Sequence, residues 1–302
     1  MNAPVRGMSW FEATARQRVA ALVDRGSFTE ILGPEAREIS PHLALFDLPA
    51  QFDDGIIIGR AMLGGRGVLL AAQEGRFMGG AFGEVHGAKL LGLLRAARAG
   101  GQEVVILFDT GGVRLQEANA GELAIGEVIR AIVEARMAGL SVLGLIGGRA
   151  GCYGGGGLIA GSCSRLIVSE PGRIAVSGPE VIETNRGVEE FDSRDRAFIW
   201  RTMGGKHRYL IGGADVFVAD DPDAFREAAM AELGRAAALN LTVLEAEQAR
   251  LARRLARFGT ATDGREVWQA LGVDAPEAVP GLGAEAFLQV AQSKRETADD
   301  AR

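Results

Sequence analysis

The chain has 302 residues, of which 47% are hydrophobic and 24% charged, a composition typical of a globular protein rather than a disordered one. A formal net charge of −6 and an aromatic content of 6% argue against a general nucleic-acid binder, which would need basic surfaces and stacking rings. Two cysteines exclude a disulfide framework and a four-thiolate zinc site, and without a signal-peptide pattern or a membrane-length apolar run we expect a soluble, cytoplasmic protein.

The N-terminal part is predicted to contain one helix and a loop. Ser9 and Glu12 have the spacing of a capping box, so we expect a helix over residues 8–25 that ends at Gly26. Residues 33–55 are interrupted by prolines and aspartates, and they are expected to form a loop.

A hairpin and a helix follow this loop. Residues 56–60 and 67–72 are predicted to be short strands that are joined through Gly64-Gly65. The glycine-rich stretch 77–83 should lead into a helix that continues to about Ala99 and ends at two glycines.

Two buried strands come next, and glycines follow each of them. Residues 104–108 and 141–146 are apolar runs, typical of strands that are buried on both faces. After the first run, Gly111-Gly112 precede a helix with apolar residues at helical spacing. After the second run, the four glycines of 154–157 open a short helix.

The rest of the chain is predicted to contain three more strands and several helices. The strands are placed over residues 165–169, 173–177 and 215–219. A helix should begin after Ser177 as its N-cap, with Pro179 just inside. Residues 222–258 are expected to form one long helix, followed after residue 259 by a short helix and a polar, frayed end. The alternation predicts an α/β fold with a mostly parallel sheet.

The two glycine turns are predicted to meet and to bind an anion. Parallel strands joined by a right-handed crossover lie side by side, so the turns after them reach the same, ligand-binding edge of the sheet. Each turn is expected to open a helix, whose first N–H groups lack partners, and glycine lets an oxygen approach the backbone. Two such donors would form an oxyanion hole, each lowering a barrier by about 3–4 kcal/mol. Tight turns without a function are the alternative.

Several side chains near these turns have two interpretations. Arg114 could pair with Glu117 or contact a substrate carboxylate. Tyr153 and Cys152 could line the pocket, although such a thiol is more often a packing residue. His86 could be catalytic, but a structural hydrogen-bonding role is the commoner one. The three histidines are far apart in the sequence, and no metal site is predicted.

These stretches resemble the carboxyltransferase branch of the crotonase superfamily, and within it the amino-terminal, beta-type half of acyl-CoA carboxyltransferases. The matching segments are residues 77–80, 83–89, 109–117, 154–157, 170–171 and 177–183. The resemblance implies a crotonase-like (ClpP/crotonase) spiral of β-β-α units, here with a long C-terminal helical segment. We accordingly expect an N-terminal helix and loop (1–50), a carboxyltransferase core (51–221) and a C-terminal helical extension (222–302).

Within this family the chain resembles the beta subunits of biotin-independent malonate decarboxylases. The segments that carry this likeness are residues 40–43, 52–55, 72–75 and 90–95. The zinc ribbon of bacterial acetyl-CoA carboxylase beta subunits is missing, and 302 residues hold only one of the two halves of propionyl-CoA-type chains. The resemblance implies that a malonyl thioester on an acyl carrier protein is decarboxylated to an acetyl thioester and CO₂.

The resemblance also implies roles for individual residues. Backbone N–H groups at Gly112/Val113 and at Gly155/Gly156 would stabilise the enolate that remains after CO₂ leaves. The residues expected to bind the substrate arm are Gly79, Gly80, Gly111, Arg114, Tyr153 and Gly154. The proton donor to the enolate is left open between Tyr153, His86 and a partner residue.

The implied cofactor and partners follow from the same resemblance. This chain needs no cofactor of its own, since the arm is a phosphopantetheine-type prosthetic group on the carrier protein. The implied partners are a gamma-type subunit with the second carboxyltransferase half, the acyl carrier protein subunit and an acyl-carrier transferase subunit. A basic cluster is predicted to dock the acidic carrier, with an ordinary solvated surface as the alternative. It comprises Arg60, Arg66, Arg76, Lys89, Arg95 and Arg98.

Three other functions fit parts of the sequence. The carboxyltransferase half of a biotin-dependent acyl-CoA carboxylase, or of a sodium-pumping malonate decarboxylase, would share the oxyanion site. A non-catalytic scaffold subunit would not need two bare glycine turns. A crotonase-type hydratase would need paired carboxylates, for which Glu117 and Glu183 are available.

Overall fold

Nine strands form two sheets in the computed structural model, which describes residues 7–48 and 50–296. The strands are β1 (Thr29–Ile31), β2 (Ile56–Leu63), β3 (Arg66–Gln73), β4 (Glu103–Phe108), β5 (Val142–Ile146), β6 (Cys152–Tyr153), β7 (Arg165–Ser169), β8 (Ile174–Ala175) and β9 (Val216–Val218). The larger sheet has the order β1-β2-β3-β4-β5-β7-β9, and β6 pairs with β8 in the smaller one.

The described helices surround these sheets. They are α1 (Ala15–Leu22), α2 (Glu84–Gly100), α3 (Asn119–Met137), α4 (Gly155–Ser162), α5 (Pro179–Arg186), α6 (Arg196–Met203), α7 (Gly205–Leu210), α8 (Pro222–Glu232), α9 (Leu241–Phe258), α10 (Gly264–Ala270) and α11 (Ala284–Ala291). Within the described ranges, none of them is long and apolar enough to cross a membrane.

The large sheet combines an antiparallel hairpin with a parallel remainder. Strands β1, β2 and β3 are antiparallel, and the predicted hairpin turn is confirmed, with Gly64 and Gly65 at φ of 59° and 78°. From β3 to β9 every neighbouring pair is parallel. Phe108 pairs with Ile146, so β4 and β5 end side by side. The predicted α/β fold with a mostly parallel sheet is therefore confirmed.

Both faces of the large sheet are covered by apolar packing. Val104 and Ile106 of β4 face a cluster with residues of α2 and α3, while Val105 and Leu107 face a cluster with residues of α1 and α8. This alternation explains why β4 is apolar at every one of these positions. Residues of α1, of the strands and of α8 pack in one cluster. The three-part division at residues 50 and 221 stays a prediction.

Two predicted helix starts are wrong. Helix α1 begins at Ala15 rather than near residue 8, and its capping box is formed by Thr14 with Gln17. The Ser9 hydroxyl accepts from Glu12 N–H at 3.3 Å, as its spacing suggested, and it also donates to Asp220 Oδ2 at 2.5 Å, which holds the preceding turn against a distant loop. The N-cap of α5 is Gly178, not Ser177.

The C-terminal region is helical, but the predicted single helix over 222–258 is wrong. The chain turns between α8 and α9 at Gly234, whose φ is 74°, and Asn240 caps α9 by accepting from Val243 N–H at 3.0 Å. After residue 259 the structure has two helices, α10 and α11, where one short helix was predicted, and they bury Trp268 and Phe287 in the main core. The last residues of the predicted polar end, 297–302, lie outside the described residues.

One buried histidine gives this region a pH dependence. His207 on α7 lies beside Trp268, with 6.2 Å between ring centroids, and burial lowers its pKa to about 3. The unfolded chain then binds a proton below about pH 6.5 that the folded chain does not bind. We expect the free energy of unfolding to fall with decreasing pH below this value, by up to about 1.4 kcal/mol per unit from this group. Urea titrations between pH 7 and 5 should give His207→Gln a shallower dependence than the wild type, whereas parallel curves would contradict this assignment.

Candidate active site

The two glycine turns lie against each other at the carboxyl end of the sheet. Tyr153 N–H donates to the Thr110 carbonyl at 2.9 Å, and Thr110 N–H donates to the Gly151 carbonyl at 2.8 Å. A Cβ placed on Gly154 would lie 3.3 Å from the Gly112 Cα. The structure therefore brings the two turns together, but by a route that the sequence did not predict: β6 stands between β5 and the second turn and bridges to Thr110.

The first turn offers one backbone donor rather than two. Gly112 N–H donates to Thr110 Oγ1 at 3.2 Å, so this predicted donor is already engaged. Val113 N–H makes no hydrogen bond to a residue that the structure describes. The prediction that this turn opens a helix is also wrong, because a 3-10 turn over Leu115–Glu117 intervenes before α3 begins at Asn119.

The second turn leads directly into a helix, as predicted. The N–H groups of Gly155 and Gly156 lie in the first turn of α4, where no intrahelical acceptor is available, and they have no hydrogen bond elsewhere in the described ranges. They also lie at the positive end of the helix dipole. These N–H groups and Val113 N–H are the donors that could hold an anionic oxygen here.

Close contact between the turns leaves no room for side chains on the first residues of α4. A Cβ on Gly156 would lie 2.3 Å from Thr110 Cγ2, and one on Gly155 would lie 3.1 Å from Val113 Cγ2. Real Cβ contacts are not as short as the first of these, so only glycine allows this approach.

The glycines predicted to bind a substrate arm lie beside the first turn. Gly111 N–H donates to the Gly79 carbonyl at 2.7 Å, and both residues are exposed. Gly80 is buried, and a Cβ on it would lie 1.8 Å from the Asp109 carbonyl oxygen. Gly79 and Gly111 thus form an open backbone surface next to Val113, whereas Gly80 is buried and packs against the Asp109 backbone.

Arg114 does not lie on this surface. It is 1% exposed, and its Nη1 donates to Asp54 Oδ2 at 2.8 Å and to Glu117 Oε1 at 3.0 Å. Arg114 therefore pairs with Glu117, which was one of its two predicted roles. The other predicted role, contact with a substrate carboxylate, is wrong because the guanidinium is buried. Asp54 was not singled out as a site residue, because 60 residues separate it from Arg114. Its sequence signal was its place in the segment 52–55, which carries the family likeness.

His86 is a buried hydrogen-bonding residue. Its Nδ1 lies 3.2 Å from the Asp54 carbonyl, and its Nε2 lies 3.0 Å from Gln73 Nε2. Gln73 Oε1 accepts from Asp109 N–H, so Gln73 Nε2 donates to a neutral imidazole. Burial lowers the pKa of His86 well below its usual value. This geometry favours the structural role over a catalytic one.

Tyr153 and the two cysteines are also buried. The Arg173 guanidinium carbon lies 5.9 Å from the centre of the Tyr153 ring, which is 4% exposed, and burial raises the pKa of this phenol. Burial also raises the pKa of Cys152, and that of Cys163 to about 12. The thiols are therefore protonated packing groups at neutral pH.

The two carboxylates considered for a hydratase bond to different parts of the chain. Glu117 Oε2 accepts from Glu84 N–H at 2.5 Å, and Glu183 on α5 accepts from Ser193 N–H at 2.7 Å. Among the described residues, no group of three or more His, Cys, Asp or Glu side chains could hold a metal ion.

The predicted basic docking cluster is only partly at the surface. Lys89 is buried and donates to the carbonyls of Asp53 and Ile56 at 2.8 and 2.7 Å. Arg95 and Arg98 pair with acidic residues of α3, at 3.3 and 2.7 Å. Lys89 is therefore removed from the docking surface, and these two arginines are not free cations.

The fold is that of the carboxyltransferase family. Residues 12–231 match the carboxyl transferase domain, and the chain belongs to this family. It is 39% identical to the malonyl-S-ACP:biotin-protein carboxyltransferase of Malonomonas rubra, over 95% of this chain and 96% of that protein. It is 29% identical to the propionyl-CoA carboxylase beta chain of Saccharopolyspora erythraea, over 70% of this chain but only 37% of that protein.

Solved structures give the same relationship. The chain superposes on a chain of a Pseudomonas malonate decarboxylase hetero-tetramer, crystallised with malonate, with a TM-score of 0.81 and 41% identity, covering 87% of this chain and 97% of that one. A Pseudomonas malonate decarboxylase hetero-dimer gives a TM-score of 0.66 and 36% identity, covering 82% and 96%. The crotonase-like carboxyltransferase fold and the resemblance to malonate decarboxylase are thereby confirmed.

Proposed function

We propose that this chain is the beta-type subunit of a malonate decarboxylase and that it converts a malonyl thioester on an acyl carrier protein to an acetyl thioester and CO₂. The observation that carries this proposal is the close contact between the two glycine turns, in which the N–H groups of Val113, Gly155 and Gly156 have no hydrogen bond among the described residues. The malonyl- and malonate-specific names of the relatives, which match nearly the whole chain, support the substrate class.

The proposed reaction uses these donors to stabilise developing charge. The bond between the malonyl α-carbon and its carboxylate breaks, CO₂ leaves, and the electron pair moves through the α-carbon onto the thioester oxygen. Hydrogen bonds to that oxygen strengthen as it becomes an enolate oxyanion, so they lower the barrier more than they strengthen substrate binding. Protonation of the α-carbon then gives the acetyl thioester.

The substrate arm would run over the open glycine surface beside Val113. Gly79 and Gly111 are exposed there, so a phosphopantetheine-type group on the carrier protein can approach their backbone. His86 and Tyr153 are buried in this chain, which favours a residue of the partner subunit as the proton donor. We propose no cofactor held by this chain itself.

Exposed apolar residues around the hole support a hetero-oligomer. Leu115, Leu158 and Val176 are 83%, 47% and 68% exposed, and each belongs to a segment at or next to the two turns. Apolar groups in one area of a surface mark an interaction site. We propose that a gamma-type subunit covers them, that the acyl carrier protein and an acyl-carrier transferase complete the complex, and that it acts in the cytoplasm.

A second candidate is a carboxyltransferase that passes the carboxyl group to biotin. The 39% identity to the Malonomonas rubra enzyme, which is named for transfer to a biotin protein, favours it specifically. Both reactions start from the malonyl thioester and pass through the same enolate when the carboxyl group leaves, so the same hole would serve either of them.

Avidin separates the two candidates. The chain, co-purified with its native partners and supplied with malonyl-loaded carrier protein, should release CO₂ at the same rate with and without avidin. Release that avidin blocks would make this subunit the carboxyltransferase half of a biotin-dependent enzyme. No release from a fully assembled complex would favour a scaffold role.

A further inference from the structure

Three charged side chains form a buried ion cluster directly behind the Val113 turn. The cluster consists of Asp54, Arg114 and Glu117, which are 0%, 1% and 3% exposed. Arg114 Nη1 bonds to both carboxylates, at 2.8 and 3.0 Å, and its Nη2 donates to the Asp54 carbonyl at 2.7 Å. The side chain next to Val113 is thereby tied to the loop that precedes β2.

The backbone on either side of Val113 is held by Phe82. Phe82 N–H donates to the Gly112 carbonyl at 2.8 Å, and Arg114 N–H donates to the Phe82 carbonyl at 2.9 Å. In this parallel bridge Val113 N–H points away from Phe82, so it stays available to a ligand. The position of Phe82 therefore sets the direction of the Val113 N–H bond.

The ion cluster also fixes the segment that contains Phe82. Glu117 Oε2 accepts from Glu84 N–H at 2.5 Å, and Asp54 Oδ2 accepts from His86 N–H at 3.0 Å. A Cβ on Gly83 would lie 2.5 Å from both Arg114 Nη1 and Glu117 Oε1, so the backbone presses directly on the cluster. Both ends of the Phe82–Val113 bridge thus depend on the same three side chains.

A buried ion pair is weak evidence for stability, because removing two charges from water offsets much of their attraction. Packed apolar side chains would fill this space with similar stability. The ion cluster differs from such packing in its directed hydrogen bonds, which reach the backbone at Glu84, His86 and Ser40.

We infer that Arg114 is a positioning residue: Asp54 and Glu117 hold it so that Val113 N–H points at the thioester oxygen, and Arg114 itself touches no substrate. This inference rests on the proposed function. A misdirected N–H group weakens a hydrogen bond that matters most in the transition state, so the loss should fall on kcat rather than on KM.

The test compares Glu117→Gln with Asp263→Asn in the co-purified complex. Glu117 uses one carboxylate oxygen for Arg114 and the other for Glu84 N–H. A glutamine has a single side-chain oxygen, so it cannot keep both bonds in this arrangement. Asp263 supplies the control, because it holds Arg201 in a separate, partly buried pair at 2.9 to 3.1 Å. Initial rates of CO₂ release and the thermal midpoint are measured for each complex.

We expect Glu117→Gln to lower kcat about 10- to 100-fold with KM nearly unchanged, while Asp263→Asn keeps its kcat even where it lowers the thermal midpoint. A Glu117→Gln complex that keeps wild-type kcat overturns the inference, and so does a raised KM at constant kcat, which would mean substrate contact. If this variant does not assemble, Arg114→Lys is measured in the same way. If the wild-type complex releases no CO₂, the proposed function itself is wrong. Failure of the proposed function can thus be told apart from failure of the positioning role.

Discussion

Replacing Gly156 with alanine should lower kcat for CO₂ release about 100-fold or more. The new methyl group would meet Thr110 Cγ2 at 2.3 Å, so the start of α4 must move away from the first turn. The proposed hole requires the N–H groups of Gly155 and Gly156 to converge with Val113 N–H on one oxygen, and this movement would separate them. The folded state should tolerate the change better than catalysis does, because alanine favours a helix over glycine by about 1 kcal/mol.

Gly161 provides a matched control on the same helix. A Cβ at this position meets nothing within 4 Å, so Gly161→Ala should keep the wild-type kcat and gain up to about 1 kcal/mol of stability. Steady-state kinetics and thermal unfolding are measured on both variant complexes. If Gly156→Ala loses stability in proportion to its activity, the glycines are only tight-turn residues and the oxyanion hole is rejected.

Replacing Arg18 with alanine should destabilise the folded chain by about 3–5 kcal/mol, the range observed when one partner of a buried ion pair is removed. Arg18 is 1% exposed; its Nη1 bonds to Asp109 Oδ2 at 2.8 Å, and its Nε bonds to the Trp10 carbonyl at 2.9 Å. Asp109 would remain buried without its cation. Because Asp109 Oδ1 also accepts from Ala150 N–H at 2.6 Å, the loss reaches the loop after β5.

Arg16 supplies the control for this substitution, since it lies on the same helix, α1, and its side chain is 43% exposed. It pairs with Glu30 at 2.8 Å and with Asp53 at 3.2 Å, but solvent weakens these contacts, and we expect Arg16→Ala to lose less than about 1 kcal/mol. Urea unfolding followed by circular dichroism measures both variants. Equal losses in the free energy of unfolding would show that the buried Arg18–Asp109 pair stabilises the fold no more than the exposed Arg16 pairs do.

Local sequence signals were enough to predict most of the sheet and the hairpin. Apolar runs and flanking glycines mark β4 and β5, and two glycines at positive φ suit the turn between β2 and β3. The helix starts were harder, because Ser9–Glu12 and Thr14–Gln17 both have capping-box spacing. The structure has the complete box at Thr14 and Gln17, whereas the Ser9 hydroxyl accepts from Glu12 N–H and also donates to Asp220.

The meeting of the two turns could be predicted, but the availability of each donor could not. The availability of a donor depends on the Thr110 hydroxyl, which accepts from Gly112 N–H. It also depends on β6, a strand of two residues that pairs with β8. Asp54 was beyond reach for the same reason, since nothing near Arg114 in the sequence indicates its partner 60 residues away.

The donors proposed at this site are main-chain amides, and this decides which mutational scan can find them. Truncating side chains to alanine leaves every one of these N–H groups in place, so a conventional alanine scan of the large residues would pass over the reaction centre. The informative scan runs in the opposite direction and adds single methyl groups at glycines, from Gly154 through Gly157. In such a scan, the smallest residues of the chain would show the largest effects.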